Sequence, residues 1–479
     1  MSFQLERLDK YRIRLHKSER MLTDAIIYAS NEIKIENDAI SQLQNACSVD
    51  EEARVFATPD IHKGYGVPIG SIFASQYFIS PSAVGYDINC GMRLLSTGIP
   101  LKNLDLKKIA NLIHNDIPLG EGKNNILLNT KDFIRLLKKG VYGIEEIYSN
   151  EKLNNKFNTE DFENDLKYIE EQGSIKGSEF SNTLDHAVER GKTQLGTLGG
   201  GNHFIELQAS VDIYDKEIAL KWGINKEELY IMIHSGSRGF GHEVAGQYMK
   251  KAIIYCEKNK LYLPDRDFNY FKVNSSEGKE YLNAMNLSAN FAFINREIMT
   301  ILIRNNLRKI YPGLKIPLLY DISHNIVKEE NYNNKKYYVH RKGATRSFDK
   351  NRMQNTPFYN TGQPVLIPGS MGTASYLLVG IESGIESLFS VNHGAGRVMG
   401  RMAAAGKKKK GKIIREALIT DEDFKRQMEG VLLICEDRSS IKEEAPAAYK
   451  DIDTVIDIVA GANLAKKVVK FRPLAVLKG

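Results

Sequence analysis

The sequence predicts an α+β fold, a single large domain over residues 1–479 in which mixed or antiparallel sheets surround a central cleft. Short strand-like runs recur at 229–234, 317–320, 337–340, 364–367 and 376–379. They do not alternate regularly with helical segments, so a doubly wound parallel sheet is not expected. Several runs end at or near Gly, Ser or His, and strand ends should therefore deliver the candidate functional side chains.

Helices are predicted in two regions. Residues from about 120 to 190 are rich in Lys, Asn and Glu with scattered Leu and Ile, a composition that predicts amphipathic helices in a surface insertion. Residues from about 241 to 310 are interpreted as a second helical stretch that packs against the core, because the later apolar residues recur at helical spacing. Before both, residues 54–60 predict a short strand that enters a loop.

The composition excludes several classes of protein. With 42% hydrophobic and 26% charged residues, the chain is neither disordered nor fibrous. Its net charge of +7 favours an anionic partner such as RNA, DNA or a nucleotide. The four cysteines form no CxxC pair, which fits a reducing cytoplasm. The first twenty residues lack an apolar segment and no run of 18 apolar residues occurs, so neither a signal peptide nor a membrane span is expected.

Five loops combine small residues with ligand-type side chains. They occupy residues 85–91, 199–204, 234–239, 321–325 and 392–397. Glycine lets the backbone approach an ion or a phosphate closely, while a neighbouring His, Cys or Asp supplies a ligand or a nucleophile. Five such loops in one chain suggest a single composite site.

Five side chains in these loops are candidate metal ligands. Asp87 and Cys90 are three residues apart and can point the same way in a turn, although a plain buried cysteine also explains this pair. His203, His234 and His324 add imidazole donors, and each alone also fits a structural histidine. Together they suit one ion, or two that share the sulfur, in a central metal cleft. Such mixed donors accept Mn²⁺, Zn²⁺, Fe²⁺ or Co²⁺, and the order of affinities does not select manganese.

His393 is a candidate nucleophile. The glycine loop that follows it can fold its amides around a phosphate, while the guanidinium of Arg397 pairs with an oxygen. A neutral imidazole there can attack phosphorus and form a phosphoramidate. A fourth histidine metal ligand is the alternative. The chain has no Asp-Gly dipeptide, so the Lys-x-Asp-Gly motif of lysine-adenylylating ligases is absent.

Three other segments could contribute to binding. The loops 368–373 and 444–450 could line a nucleotide pocket, although Tyr449 could equally be a half-buried core aromatic. Apolar residues near the C-terminus should dock it and bring Lys478 toward an anion or a carbonyl, and otherwise Lys478 lies in water. The lysine run 407–410 is interpreted as a solvated loop that can also contact phosphate.

Six motifs resemble, in type and order, those of the RtcB family of RNA-splicing ligases. They are residues 59–66, 87–90, 199–204, 234–239, 321–325 and 393–397. The resemblance runs from about residue 50 to Gly479. It implies a manganese enzyme that uses GTP to join RNA ending in a 2′,3′-cyclic phosphate or 3′-phosphate to RNA beginning with a 5′-hydroxyl, in tRNA splicing, RNA repair or both.

The resemblance also implies roles for individual residues. Two manganese ions are expected on Asp87, Cys90, His203, His234 and His324, with Cys90 as the bridging thiolate. His393 matches the histidine that becomes guanylylated. The implied guanylate-binding positions are Asn202, Glu206, Ser370, Gly394, Ala395, Gly396, Tyr449 and Lys478, with Lys478 facing the guanine. Our candidates for holding RNA phosphates are Arg238, Arg397 and the lysine-rich loop after residue 406.

Two rival functions are compatible with the same residues. A metal-dependent RNA phosphodiesterase or phosphatase would use these ligands without a covalent nucleotide, with His393 as a proton donor or an extra ligand. A noncatalytic RNA-binding protein would need only structural histidines. Besides RNA, an archease-type activator is an expected partner by family analogy, and we expect a cytoplasmic monomer.

Overall fold

The computed structural model describes residues 3–18, 20–102, 104–177, 179–409, 412–436 and 440–479, without the side chains of residues 407–413. The strands are β1 (Leu5–Arg7), β2 (Arg12–Leu15), β3 (Ala25–Tyr28), β4 (Arg54–Tyr65), β5 (Val67–Ser75), β6 (Phe78–Ile79), β7 (Gly91–Pro100), β8 (Phe204–Ile213), β9 (Glu228–Ser235), β10 (Phe271–Lys272), β11 (Leu318–Ser323), β12 (Asn325–Tyr332), β13 (Lys335–Lys342), β14 (Ala344–Arg346), β15 (Pro364–Ile367), β16 (Ser375–Gly380), β17 (Ser390–Asn392), β18 (Lys407–Lys409), β19 (Lys412–Arg415), β20 (Leu432–Cys435) and β21 (Ala465–Lys478). The α-helices are α1 (Asn37–Ala46), α2 (Leu106–Asp116), α3 (Thr130–Lys139), α4 (Thr159–Asp165), α5 (Asp185–Gly191), α6 (Lys216–Lys221), α7 (Arg238–Lys258), α8 (Ser276–Ile310), α9 (Arg401–Ala405), α10 (Asp421–Gln427) and α11 (Ile452–Gly461).

Two large sheets form the framework. The first has the strand order β1-β2-β3-β4-β5-β13-β12, and its neighbours are antiparallel except for the parallel pair β3 and β4. The second has the order β11-β7-β9-β8-β21-β16-β15 and is antiparallel along this path, while β20 pairs in parallel with β21. The predicted α+β class with mixed sheets is therefore confirmed.

Both faces of the second sheet are buried. Along β9, Ile231 and Ile233 point into one apolar cluster and Met232 points into another, as the alternation of side chains along a strand requires. The first of these clusters also contains Ile13, near the N-terminus, and Leu477, near the C-terminus. This shared core makes the fold a single large domain.

The helical stretch predicted over about 241–310 is mostly helical, but it consists of two helices. α7 and α8 are separated by residues 259–275, which include β10. The hydroxyl of Ser275 starts α8 by accepting a hydrogen bond of 3.0 Å from the backbone N–H of Gly278. The regular apolar spacing belongs to α8, which is buried over most of its length. None of the described helices combines the length and apolarity needed to cross a lipid bilayer.

Residues 120–190 form α3, α4 and α5 with short 3₁₀ turns between them. α3 buries Phe133, Leu136 and Leu137 and leaves its lysines exposed. Further along, Ile169 forms a parallel bridge with Asp321 of β11, and the adjacent residue 170 is buried. This segment therefore extends from the surface to the edge of the second sheet.

Candidate active site

Four of the predicted metal ligands lie together at one end of the strands of the second sheet. Cys90 comes directly before β7 and His203 directly before β8, whereas His234 lies near the end of β9 and His324 directly follows β11. The antiparallel register places His234 opposite the second residue of β7 and the first residue of β8. Adjacent strands in this register bring their ends together, which is how residues far apart in sequence meet.

The donor atoms of the five predicted ligands converge. Sγ of Cys90 lies 3.1 Å from Nε2 of His234 and 3.4 Å from Nε2 of His203. Nε2 of His234 is also 3.2 Å from Nε2 of His324. Oδ2 of Asp87 is 2.8 Å from Nε2 of His203. The structure therefore brings all five side chains into one cluster.

The chemistry of this cluster fits a metal ion. Burial and the neighbouring imidazoles lower the pKa of His234 and His324 well below the usual value, so both rings are neutral, the form that coordinates metals. Burial and the Asp87 carboxylate raise the pKa of the Cys90 thiol, and a divalent cation would offset both effects. Nδ1 of His324 is buried without a hydrogen-bond partner among the described residues, while Nε2 faces the other donors.

A buried arginine of α8 holds two of the ligand-bearing loops from behind. Nη1 of Arg296 donates hydrogen bonds of 2.9 Å to the carbonyl oxygens of Asn89 and Ser235, each of which is adjacent to a candidate ligand. The same guanidinium pairs with Asp321 at 2.8 Å, and neither side chain of this pair is exposed. The Asp321 carboxylate neutralises the buried guanidinium, and the two hydrogen bonds of Arg296 to carbonyl oxygens fix the positions of the two loops.

Two further contacts orient the histidines. Nδ1 of His234 lies 3.1 Å from the carbonyl oxygen of Asn202, which leaves Nε2 facing the cluster. Glu170 accepts two hydrogen bonds from Ser323, at 3.1 Å from the backbone N–H and at 2.5 Å from the hydroxyl. Since Ser323 precedes His324, this carboxylate anchors the loop that carries the ligand.

His393 lies next to the cluster, with its ring centroid 5.0 Å from that of His324. Its Nδ1 is 2.7 Å from Oδ2 of Asp60, a side chain with no exposed surface. Burial alone would raise the pKa of Asp60, but hydrogen bonds from His393 and Thr58 keep it below its usual value. The ionised carboxylate favours the tautomer with the proton on Nδ1, in which Nε2 of this 16% exposed ring carries the lone pair.

The loop after His393 depends on glycine. Gly396 has a φ of +75°, and a Cβ at this position would lie 2.2 Å from the carbonyl oxygen of Asp60. The side-chain amide of Asn392 donates a hydrogen bond of 2.7 Å to the carbonyl oxygen of Gly394. The loop is therefore fixed tightly against the residue that orients the imidazole.

A cleft of about 890 Å³ opens over these residues, a size suited to a nucleotide. The predicted site residues that line it are Asp87, Asn202, His203, His234, Arg238, His324, Ser370, His393, Gly394, Ala395, Gly396, Arg397, Tyr449 and Lys478. Cys90 is buried beneath them. Glu206 does not line the cleft, because its carboxylate accepts a hydrogen bond of 2.6 Å from Gln208 within the sheet, where burial raises the pKa of Glu206 to about 8.

Arg397, one of the predicted RNA-phosphate contacts, is engaged by the protein itself. Its guanidinium donates to the carbonyl oxygen of Glu443 at 2.6 Å, to the hydroxyl of Tyr449 at 3.2 Å and to the carboxylate of Glu444 at 3.3 Å. It also lies over the Tyr449 ring, 5.0 Å from the centroid. This geometry favours a role in building the wall of the cleft over a contact with RNA.

Lys478, the last residue of β21, lies in the same wall of the cleft. Its Nζ donates to the carbonyl oxygen of His203 at 3.3 Å and lies 3.9 Å from the Glu444 carboxylate. Burial lowers the pKa of Lys478, although the neighbouring carboxylates oppose this effect. The predicted docking of the C-terminus is confirmed, and it places this amine inside the cleft.

Arg238, the first residue of α7, has a guanidinium that remains available to an anion. It is held by long contacts to Thr197 at 3.4 Å, to Nδ1 of His203 at 3.4 Å and to the carbonyl oxygen of Gly120 at 3.5 Å. The geometry supports the prediction that it contacts RNA phosphates. The lysine-rich segment was predicted to be a solvated loop, but its described residues form the antiparallel strands β18 and β19. The side chains of residues 407–413 lie outside the described part of the structure, so the predicted contact with phosphate stays a prediction.

Sequence reasoning missed three residues that position the site. Asp60 lies inside the motif at 59–66, and a carboxylate in a ligand-bearing loop was the signal that could have identified it. Arg296 and Glu170 carried no comparable signal, since one lies within a long helical pattern and the other within a charged stretch.

The combination of a buried thiol and imidazole cluster, an imidazole oriented by a carboxylate and a nucleotide-sized cleft is typical of metal-binding enzymes that act on phosphate groups. Residues 42–479 match the family described as tRNA-splicing ligase RtcB, and the chain belongs to this family.

The relatives agree with this assignment. The chain is 38% identical to the tRNA-splicing ligase RtcB of Methanococcus maripaludis, over 93% of this chain and 92% of that one. It is 36% identical to the Archaeoglobus fulgidus protein of the same name, over 99% of each chain. Identity to the Nanoarchaeum equitans protein of that name is also 36%, over the full length of both. The protein is therefore an RNA ligase.

Proposed function

We propose that the protein joins RNA ends bearing a 2′,3′-cyclic phosphate or a 3′-phosphate to ends bearing a 5′-hydroxyl, with GTP as co-substrate and His393 as the nucleophile. The observation that carries this proposal is the contact of 2.7 Å between Asp60 and Nδ1 of His393. Because the buried carboxylate keeps Nδ1 protonated, Nε2 is the nitrogen that offers a lone pair to a phosphorus in the cleft.

The metal cluster would hold two manganese ions on Asp87, Cys90, His203, His234 and His324. Bound there, the ions would offset the charge of the triphosphate and align its α-phosphorus for in-line attack. The Cys90 sulfur lies 3.1 Å and 3.4 Å from the Nε2 atoms of His234 and His203, so its thiolate would serve as a ligand together with both rings. His234 and His324 are already in the neutral, coordinating form, so metal binding takes no proton from these two rings, whereas the Cys90 thiol must lose its proton to coordinate.

The reaction then proceeds in three displacements. Nε2 of His393 attacks the α-phosphorus of GTP, forming an N–P bond as the bond to the β-phosphate oxygen breaks and pyrophosphate leaves. An oxygen of the RNA 3′-phosphate attacks the same phosphorus and displaces the imidazole, which transfers GMP to the RNA. The 5′-hydroxyl oxygen then attacks the 3′-phosphorus, loses its proton to solvent and releases GMP. A cyclic phosphate is first opened by water to the 3′-monophosphate.

Residues of the cleft wall would recognise the guanylate. The backbone of Gly394, Ala395 and Gly396 adjoins the nucleophile and suits the α-phosphate. The side-chain amine of Lys478 makes a single hydrogen bond within the described residues, so it has donors left for a carbonyl oxygen of the guanine. Asn202, Ser370 and Tyr449 supply the remaining polar groups, and Glu206 would join them only after a local rearrangement.

A labelling experiment tests the covalent step. The purified protein is incubated with Mn²⁺ and α-labelled GTP, denatured and separated from free nucleotide. We expect the wild-type chain to retain label and His393→Ala to lose it, and label retained by that variant would exclude His393 as the nucleophile. The rival phosphodiesterase would bind metal and open a cyclic phosphate, but it would not become labelled.

We also propose the cellular substrates, the activator and the oligomeric state. We assign tRNA halves or other cleaved RNAs as substrates, in splicing or repair, with an archease-type protein as activator and a cytoplasmic monomer as the working form. Multiple-turnover ligation with and without archease tests the activator, and light scattering tests the oligomeric state.

A further inference from the structure

Three aromatic rings lie in a row along the cleft: Tyr65 at the end of β4, Tyr86 in the turn before Asp87, and His242 in the first turns of α7. We call them the aromatic rim. The ring centroids of Tyr86 and His242 are 4.9 Å apart with the planes inclined by only 24°, and those of Tyr65 and Tyr86 are 5.8 Å apart at 55°. All three residues line the cleft that holds the metal cluster and His393.

The aromatic rim is partly open to solvent, and its central ring packs against α7. Tyr86 is 37% exposed and the side chain of His242 is also exposed, whereas Tyr65 is partly buried. The Tyr86 ring rests against α7, where a Cβ added at Gly246 would lie 3.9 Å from the ring. His242 and Gly246 are one helical turn apart and share a face of α7, so the Tyr86 ring packs on this face. Packing in the core does not account for a stacked pair with this exposure.

The surroundings of the aromatic rim suit a nucleic acid strand. Tyr86 is the immediate neighbour of Asp87, so a base stacked there lies beside the predicted metal ligands. Arg238 lines the same cleft and supplies positive charge for phosphates, whereas Arg190, which also lines it, is paired with Glu243 at 2.6 Å. Exposed aromatic faces next to a cationic groove are the usual means of binding single-stranded RNA without regard to sequence, because every base has a face that can stack.

We propose that the aromatic rim is a base-stacking subsite that binds the nucleobase next to the RNA end being joined, with Tyr86 as its central ring. This inference rests on the protein being an RNA ligase and not on the guanylylation of His393. A strand of either kind, ending in a 3′-phosphate or beginning with a 5′-hydroxyl, carries such a base. The subsite would therefore hold the reacting end of the RNA beside the metal cluster, whatever the sequence of the RNA.

Equilibrium binding of labelled RNA without GTP tests the subsite. Two oligonucleotides are compared, one ending in a 3′-phosphate and one beginning with a 5′-hydroxyl, each with its normal end base or with an abasic end nucleotide. We expect Tyr86→Ala to weaken the binding of at least one normal strand about tenfold, and Tyr86→Phe to bind it as wild type does. The strand that loses affinity identifies the occupant. Unchanged affinity for both strands would overturn the proposal.

A double-mutant comparison separates stacking from a change in fold. If the base stacks on Tyr86, the abasic strand should bind wild type about as weakly as it binds Tyr86→Ala, so the two losses do not add. Additive losses would mean that the ring and the base act separately, which contradicts the proposal. Tyr359→Ala is a matched control, because Tyr359 is 55% exposed and does not line the cleft. Labelling by GTP is measured in parallel, and its failure in wild type would reject the proposed function while leaving the RNA-binding result to stand.

Discussion

Oδ2 of Asp60 lies 2.7 Å from Nδ1 of His393, so a carboxylate with no exposed surface holds the imidazole that faces the cleft. A second hydrogen bond, of 2.5 Å from the hydroxyl of Thr58, fixes the other carboxylate oxygen. Asp60 belongs to β4 of the first sheet, whereas His393 lies in a loop beside the predicted metal ligands of the second sheet. His393, the proposed nucleophile, and the predicted metal ligands are therefore positioned by different parts of the fold and can be perturbed separately.

Asp60→Asn should block the covalent step while leaving the metal cluster intact. An asparagine amide can donate a hydrogen bond to Nδ1, which would place the ring proton on Nε2 and remove the lone pair that attacks phosphorus. We expect the rate of labelling by GTP to fall by at least about 100-fold, in a single-turnover assay. Thr58→Val removes one hydrogen bond but keeps the carboxylate, so its rate should fall far less. Labelling of Asp60→Asn at the wild-type rate would show that the carboxylate does not set the tautomer.

Glu170→Ala should weaken metal binding although Glu170 is not itself a predicted ligand. Its carboxylate anchors Ser323, next to His324, and losses of this kind reduce metal affinity by about 10- to 100-fold. Titration calorimetry with Mn²⁺ measures the change.

Glu171→Ala is the matched control for this variant. Glu171 pairs with the same cations as Glu170, Lys328 at 3.0 Å and Arg346 at 3.3 Å, but no hydrogen bond joins it to Ser323 within the described residues. Its variant should keep the metal affinity of wild type. Equal losses in the two variants would mean that the ion pairs, and not the contact with Ser323, support the site.

Glu206→Gln should change how stability depends on pH. Burial raises the pKa of Glu206 from 4.5 to about 8, so between these values the unfolded chain releases this proton and the folded chain keeps it. The contribution of Glu206 is thus fully present below pH 4.5 and is lost as the pH rises toward 8, by at most about 1.4 kcal/mol per pH unit. Glutamine has no such loss and can still accept the hydrogen bond from Gln208.

Urea unfolding at pH 5 and pH 8 measures this difference. The free energy of unfolding of Glu206→Gln, relative to wild type, should be higher at pH 8 than at pH 5, by a few kcal/mol. A relative free energy that does not change with pH would show that Glu206 ionises normally in the folded protein.

The sequence predicted the strand ends of the site well, because local patterns determine them. The run at 364–367 coincides with β15, and that at 229–234 lies within β9, which ends one residue after His234. Apolar runs broken by glycine and polar residues are a local signal of a strand end, so the ligands could be recognised before their contacts were known.

The positioning residues could not be predicted in the same way, since tertiary packing gives them their roles. Arg296 is an ordinary charged residue in a helical pattern, and only the burial of α8 against both ligand loops turns it into an anchor. Glu170 lies in a stretch rich in Lys, Asn and Glu, where a solvated side chain is the normal expectation. Asp60 was expected to end a strand at a loop, but β4 continues to Tyr65 with register shifts between Ala57 and His62.

Substitutions of Arg238 and Arg397, the two candidate arginines, should affect the salt dependence of RNA binding differently. Arg238 has long contacts and an available guanidinium, so Arg238→Gln should lower the slope of log affinity against log salt concentration by about 0.7 for each phosphate it neutralises on a single strand. Arg397 is engaged with Glu443, Glu444 and Tyr449, so Arg397→Gln should leave this slope unchanged and weaken GTP binding instead. Titrations of labelled RNA over a range of KCl concentrations give both slopes. If Arg397→Gln lowers the slope and Arg238→Gln does not, the assignment of the two residues is reversed, and the wall of the cleft would have to open for RNA to reach that guanidinium.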